Sequence, residues 1–301
     1  MNVDLSRMKP LTIVGLGELL WDLLPEGKQV GGAPANFAYH AGALSGAGVV
    51  VSAVGDDASG RELRERLAGK GLDVTHVAAD PTHPTGTVSV AVDEAGNPEY
   101  TIHEDVAWDF IPNEDGLKTL AGRCDAVCFG TLAQRAPQSR ATIQSFVGAT
   151  NAKCLRVYDI NLRQSFYSTG VIEESLRLAT ILKINDEELP VVAGLLAIDG
   201  TDYEIMRTLI ANYGLDMVAL TRGKRGSVIQ TADTVTEDEG QVPTSLADTV
   251  GAGDSFTAAL VVGLLQGRDL NTVSAEANRL ASFVCSQKGA MPPIPDSFRT
   301  E

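Results

Sequence analysis

Asp248-Thr249-Val250-Gly251-Ala252-Gly253-Asp254-Ser255-Phe256-Thr257-Ala258-Ala259-Leu260 is the stretch that decides the architecture of this chain. From Ser255 to Leu265 small and apolar residues run on with helical character. The three residues before them, Gly251, Ala252 and Gly253, carry almost no side chain. A turn of this kind opening a helix leaves several backbone N–H groups unpaired, with the positive end of the helix dipole behind them. Such a place binds anions, and phosphate is the usual occupant. Asp254 falls in the first turn of the helix. A lone carboxylate there would be an ordinary cap, but a second aspartate, Asp248, stands upstream, with a Gly-x-Gly between the two. The pattern fits a phosphoryl-transfer centre, in which the amides of Gly251 to Gly253 hold developing charge and Asp254 accepts a proton from an attacking hydroxyl.

Upstream, short apolar runs alternate with helical patterns. Ala126–Gly130, Leu155–Asn161, Ile181–Asn185, Met217–Thr221 and Gly226–Gln230 read as strands. Ser139–Gly148, Ile172–Ala179 and Asp202–Tyr213 read as helices. This alternation predicts a mainly parallel sheet covered on both faces, with ligands beyond the C-terminal ends of the strands. Three polar clusters fall at those ends: Asp159/Asn161/Arg163, Asn185 with Glu188, and Thr221-Arg222-Gly223-Lys224-Arg225-Gly226. With Asp254 they converge on one edge.

The N-terminal part starts with a strand-like run, Leu11–Gly15. Gly15-Leu16-Gly17 is a fragment of a dinucleotide fingerprint without its third glycine, a weak signal for a nicotinamide cofactor. Asp22 and then Gly31-Gly32-Ala33-Pro34-Ala35-Asn36 follow. Pro34 suits the first turn of a helix running to Ala43, and Asp22 and Asn36 bracket the glycine corner with groups that engage hydroxyls. Val49–Val54 reads as a strand and Arg61–Ala68 as a helix. Thr85–Val92 and Glu99–His103, separated by a turn at Asp93–Pro98, read as a hairpin, an excursion that covers the main body as a lid. His103 has no second ligand at metal spacing.

Composition bounds the class. The chain has 301 residues, 44% of them hydrophobic and 21% charged, and a net charge of −15. That charge argues against nucleic acid and anionic membrane surfaces as partners. Arg7 and Lys9 precede an apolar run too short, and too soon interrupted by Glu18 and Asp22, for a signal peptide. No window approaches a transmembrane length. Cys124, Cys128, Cys154 and Cys285 lack paired or metal-finger spacing, which fits buried free thiols in a reducing cytoplasm. A cytoplasmic protein is the expectation.

The two glycine segments, together with Asn185-x-x-Glu188 and Thr221-x-Gly223-x-x-Gly226 in this order, resemble the ribokinase-like (PfkB-type) carbohydrate kinases over nearly the whole length. Pro34 after the paired glycines, with Gly17-Glu18-Leu19-Leu20-Trp21-Asp22 before it, is more similar to fructokinases than to ribokinases. The resemblance implies a three-layer α/β/α fold in one domain over residues 1–301, with a small β lid from excursions at about 20–36 and 85–108. It implies Asp254 as catalytic base, Gly251, Ala252 and Gly253 as anion hole, and Arg163 near the sugar or the transferring phosphoryl group. Asp22, Gly31, Gly32 and Asn36 would hold sugar hydroxyls, with Trp108 and Gln134 as further contacts. Thr221, Gly223, Gly226 and Asn278 would line ATP, with Asn185 and Glu188 organising Mg²⁺ through water. Asp248, Val250 and Gly289 resemble a site for a monovalent cation, K⁺. The implied reaction is ATP-dependent phosphorylation of a primary hydroxyl of a free sugar, fructose first. 2-Keto-3-deoxygluconate, ribose or another ketose are the alternatives within the class, and a non-catalytic sugar or nucleotide sensor stands outside it. A lid edge pairing with a second copy would give a homodimer.

Overall fold

The computed structural model describes residues 11–24, 27–92, 98–241, 243 and 245–299. Runs of Val, Ile, Leu and Ala too short for helices form a nine-stranded sheet. Its strands are β1 (Ile13–Leu16), β4 (Gly48–Gly55), β5 (Asp73–Asp80), β8 (Ala126–Phe129), β9 (Leu155–Asp159), β10 (Ile181–Asn185), β11 (Met217–Thr221), β12 (Ser227–Thr231) and β13 (Val235–Asp238). Their order is β13-β12-β11-β10-β9-β8-β1-β4-β5. The seven from β11 to β5 pair in parallel, and β12 and β13 continue the sheet antiparallel at one edge.

Because both faces are covered, alternate strand residues enter two separate cores. Val14, Val51, Tyr158, Leu182 and Val218 pack on one face under α3 (Asp115–Arg123), α4 (Pro137–Gly148), α5 (Thr169–Leu178), α6 (Glu188–Leu195) and α7 (Asp202–Tyr213). Ile13, Val50, Val157, Ile181 and Ala219 pack on the other under α1 (Ala33–Ser45), α2 (Ala58–Gly69), α8 (Ala252–Leu265) and α9 (Leu270–Cys285). Lys183 and Asp159, two residues on from Ile181 and Val157, therefore face the α8 side.

A second sheet of four strands has the order β3-β2-β6-β7, with β2 Leu20–Leu24, β3 Gly27–Gly31, β6 Gly86–Val92 and β7 Pro98–Ile102. β6 and β7 form the antiparallel hairpin expected from their alternation; of its turn, residues 93–97 lie outside the described residues. β2 pairs antiparallel with β3 and parallel with β6. Two side chains tie the far end of this sheet to the main body: Gln164 donates to the carbonyl of Tyr100 at 2.6 Å and Arg135 to that of His103 at 2.6 Å.

Several elements differ from the sequence expectations. α8 begins at Ala252 rather than Ser255, because Gly251 takes the left-handed conformation and caps it (φ 78°). β1 starts at Ile13 rather than Leu11, and Arg7 and Lys9 lie outside the described residues. The edge strand β5 and helices α3, α6 and α9 were not anticipated. Gly15 does not serve a dinucleotide turn: a Cβ there would collide with the carbonyl of Pro34, so it gives α1 room to sit directly on β1. The cysteines are free thiols, and Cys285 alone is only half-buried. Among the described residues, no helix is long and apolar enough to cross a membrane.

Candidate active site

The C-terminal ends of β1, β9 and β10 meet the N-termini of α1 and α8, and the polar residues gather there. Asn36, in the first turn of α1, donates from Nδ2 to Asp254 Oδ2 at 2.8 Å. Asp254 is in the first turn of α8. Burial, and then repulsion from Asp159, push its pKa up to about 6, against the pull of Asn36, Lys183 and Arg163. The carboxylate is thus ionised at neutral pH yet more basic than an exposed aspartate, which suits a group that takes a proton late in a reaction.

Asp22, on β2, lies directly over Gly31, where a Cβ would strike its carboxylate. Burial lifts Asp22 to about 6, and Arg163 opposes the rise. Arg163 is exposed and also acts on Asp254. It sits in the loop after β9 between Asn161 (φ 42°) and Gln164 (φ 48°). Two non-glycine residues in the left-handed region within four positions mark a strained segment, as functional loops often are. Gly32 packs so closely on the backbone of Glu18 and Leu19 that no side chain fits there. Asp22, Gly31, Gly32, Asn36, Arg163 and Asp254 are thus brought together.

Beneath the Gly251–Gly253 turn lies a buried ion pair that sequence reasoning did not single out. Lys183 Nζ is 3.1 Å from Asp159 Oδ1, and a Cβ on Gly253 would lie 2.9 Å from the same ammonium. The hydroxyl of Thr257 is 2.9 Å from Asp159 Oδ2. Burial would lower the Lys183 pKa, but the carboxylates of Asp159, Glu188 and Asp254 outweigh it and hold Lys183 above its ordinary value. A fixed positive charge therefore sits under the helix N-terminus. The available signal was one lysine in an otherwise apolar buried strand, Ile181-Leu182-Lys183-Ile184, a position that requires a partner. Glu18 was also missed; it is buried and lines the same cleft as Asp254, Asp159 and Asn161.

The remaining candidates form two further groups. Asn185 Oδ1 accepts from the amides of Glu187 and Glu188, while Glu188 accepts from the amides of Leu162 and Asn185. Among the described residues no group of three or more His, Cys, Asp or Glu side chains is placed to hold a metal. Gly226 abuts the backbone of Asp238 and Gly240, and Asn278 Oδ1 lies beside Gly240, its amide donating to Ser227 at 2.8 Å. With Thr221 and Gly223 these residues border one end of the sheet. Asp248 accepts from the amides of Val250 (3.0 Å) and Gly289 (3.3 Å), so the three residues expected at a cation site are adjacent.

Trp108 and Gln134 lie apart from the lid surface. Trp108 is fully buried, in the turn Ala107–Phe110 rather than in the second sheet, with Arg135 stacked on it at 4.0 Å. Gln134 is fully buried too, its amide donating to Gly130 and Ser175. Trp108 Nε1 and Gln134 Oε1 are buried without hydrogen-bond partners, and both side chains lie deeper than a lid or strand-edge position.

The pfkB family carbohydrate kinase model matches residues 25–297. A fructokinase of Klebsiella pneumoniae is 31% identical and one of Salmonella typhimurium 30% identical, each over 298 residues covering 93% of this chain and 95% of the relative. Among solved structures, an uncharacterized sugar kinase of Pyrococcus horikoshii superposes with a TM-score of 0.81 at 28% identity, over 93% of both chains. The same protein in complex with ATP gives 0.75 at 27%, over 93% of this chain and 94% of the other. The geometry around Asp254 and these similarities lead to one conclusion: the chain belongs to the pfkB family of carbohydrate kinases.

Proposed function

We propose that this kinase transfers the γ-phosphoryl group of ATP to a primary hydroxyl of a free sugar, with fructose as its first substrate. The observation that carries the reading is Asp254, held by Asn36 at 2.8 Å and set in the first turn of α8 behind a turn of almost side-chain-free residues. Support for ATP as donor comes from the ATP complex of the Pyrococcus horikoshii kinase. Support for fructose comes from the bacterial fructokinases.

In this reading Asp22 and Asn36 hold sugar hydroxyls and aim one at the phosphoryl group. Asp254 accepts its proton as the new O–P bond forms and ADP leaves with the electron pair of the broken bond. The amides of Gly251, Ala252 and Gly253 stabilise the charge on the transferring group, with Lys183 beneath them and Arg163 alongside. Mg²⁺, organised through water by Asn185 and Glu188, would neutralise the phosphates of the nucleotide. A monovalent cation beside Asp248, Val250 and Gly289 would steady the turn. Thr221, Gly223, Gly226 and Asn278 would border the nucleotide. The second sheet acts as a lid, excluding water once sugar is bound, and its free edges are where a dimer would form.

The test is ADP release from Mg-ATP across free sugars, phosphorylated sugars and nucleosides, with and without K⁺. Turnover is expected with fructose and a stimulation by K⁺. Turnover confined to another sugar would remove fructose from the proposal, and none at all from a folded protein would remove the catalytic reading.

A further inference from the structure

Glu18 follows β1 after Gly17 and lies under the N-terminus of α1, where Gly32 presses on its backbone. The residue is 4% exposed, and its Oε2 is buried with no hydrogen-bond partner. It lines, with Asp254 and Asp159, a cavity of about 10 Å³, the scale that holds a single water molecule. The Oδ1 of Asn36, whose amide grips Asp254, is likewise buried and unpartnered. A buried carboxyl oxygen without a partner is unfavourable, and its place beside a proton-accepting carboxylate gives it a use.

We propose that Glu18 is a proton-holding group behind Asp254, receiving across this cavity the proton that Asp254 draws from the acceptor hydroxyl. The inference rests on the kinase reading of the same site. The sugar O–H bond breaks as the O–P bond forms, and the proton passes to Asp254. It then moves to Glu18, which restores the Asp254 carboxylate while the phosphorylated product still covers it. Glu18 returns the proton to solvent when the site opens. Glu18 does not touch substrate, so it is a positioning residue for the proton.

The charged and titratable groups around Glu18 favour this direction of transfer. Asp254 on α8 and Arg163 on the loop after β9 act on Glu18, Asp159 at the end of β9 lines the same cavity, the thiol of Cys128 on β8 feels the Glu18 charge, and Lys183 on β10 acts on Asp254. Burial, and then the Asp254 charge, push Glu18 up to about 7, against amide hydrogen bonds from Glu18 and Ala33 and the attraction of Arg163. Burial raises both carboxyls, and the Asp254 charge raises Glu18 further, so Glu18 is basic enough to take the proton from Asp254.

Two readouts test this. In Glu18→Gln, which keeps the shape and removes the titration, kcat at pH 8 should fall roughly tenfold. The ionisation near pH 7 should vanish from the kcat profile, leaving a single acid limb set by Asp254, and Glu18→Asp should restore part of both. Wild-type kcat with an unchanged profile in Glu18→Gln would overturn the proposal. The second readout needs no turnover: a ¹³C carboxyl titration of the intact chain, with Glu18 identified by its absence in Glu18→Gln. Glu18 should titrate near pH 7 and move toward the ordinary glutamate range in Asp254→Asn. A Glu18 that titrates in the ordinary range, or ignores Asp254→Asn, overturns the proposal even where Glu18→Gln folds poorly. A wild-type chain silent on every acceptor would overturn the kinase reading and the relay with it; loss of the coupling alone would overturn only the relay.

Discussion

Replacing Gly251 by alanine tests the geometry of the anion-holding turn. Gly251 has φ 78°, and a Cβ built on it would stand 2.7 Å from the carbonyl oxygen of Ala290 and 2.8 Å from that residue's Cα and Cβ. Two effects combine. Left-handed backbone disfavours alanine by about 1–2 kcal/mol, and relief of a backbone clash of this kind adds about 1–3 kcal/mol. Neither can be relieved by a side-chain rotation, because the obstacle is main chain next to Gly289, whose amide is tied to Asp248. If most of this strain falls on the turn that stabilises the transition state, about 3 kcal/mol corresponds to a kcat loss of roughly a hundredfold. The sugar KM should move only a few-fold, since Asp22 and Asn36 are on other elements. Gly214→Ala is the control: that glycine caps α7 at φ 67° with open space around it, so it should lose about 1 kcal/mol of stability in urea and no kcat. Steady-state kinetics and urea unfolding on both variants decide the matter. A Gly251→Ala enzyme with kcat within twofold of wild type would refute the reasoning.

Two more perturbations bear on the site. Glu18, Asp22 and Asp254 titrate at about 7, 6 and 6 in the folded chain against reference values of 4.5, 3.8 and 3.8; the native state therefore binds more protons between about pH 4 and 7, and this trio's contribution to stability falls as pH rises through that window. Glu18→Gln should accordingly gain stability at pH 8, by at most about 3 kcal/mol, and gain less at pH 5; equal urea midpoint shifts at the two pH values would contradict this. Lys183→Met leaves Asp159 buried without its cation and should lose about 3–5 kcal/mol, with Lys183→Met/Asp159→Asn recovering part of the loss. Additive effects of the two substitutions would mean that the pair is not coupled.

The parts of the site built from backbone were legible in the sequence. Gly251-Ala252-Gly253 and Gly31-Gly32-Ala33-Pro34 announce helix starts with exposed amides through composition alone, and Asp254 and Asn36 follow from their places in those first turns. The parallel sheet was legible because its strands are continuous apolar runs. β5, Asp73–Asp80, was not: it is an edge strand in which only Val77 is buried, and its sequence carries no such run. α9 was missed because its buried residues Val273, Ala277, Leu280 and Val284 are interleaved with polar ones such as Asn271, Ser274, Glu276 and Arg279. Lys183 and Glu18 owe their roles to neighbours far away in the chain, Asp159 and Asp254, and only the packing of α8 and α1 over the strand ends makes those neighbours. The depth of Trp108 and Gln134 was likewise not legible, because it is set by partners distant in the chain, Arg135 stacked on Trp108 and Ser175 bonded to Gln134.

The most direct measurement of the central claim is fructose phosphorylation by Asp254→Asn beside fructose binding to the same variant by calorimetry. With Asp254 as the base, turnover should fall by roughly 10²–10⁴-fold while the affinity for fructose stays within a few-fold of wild type. Turnover close to wild type with binding intact would mean that the proton goes elsewhere, and the account of this site would be wrong.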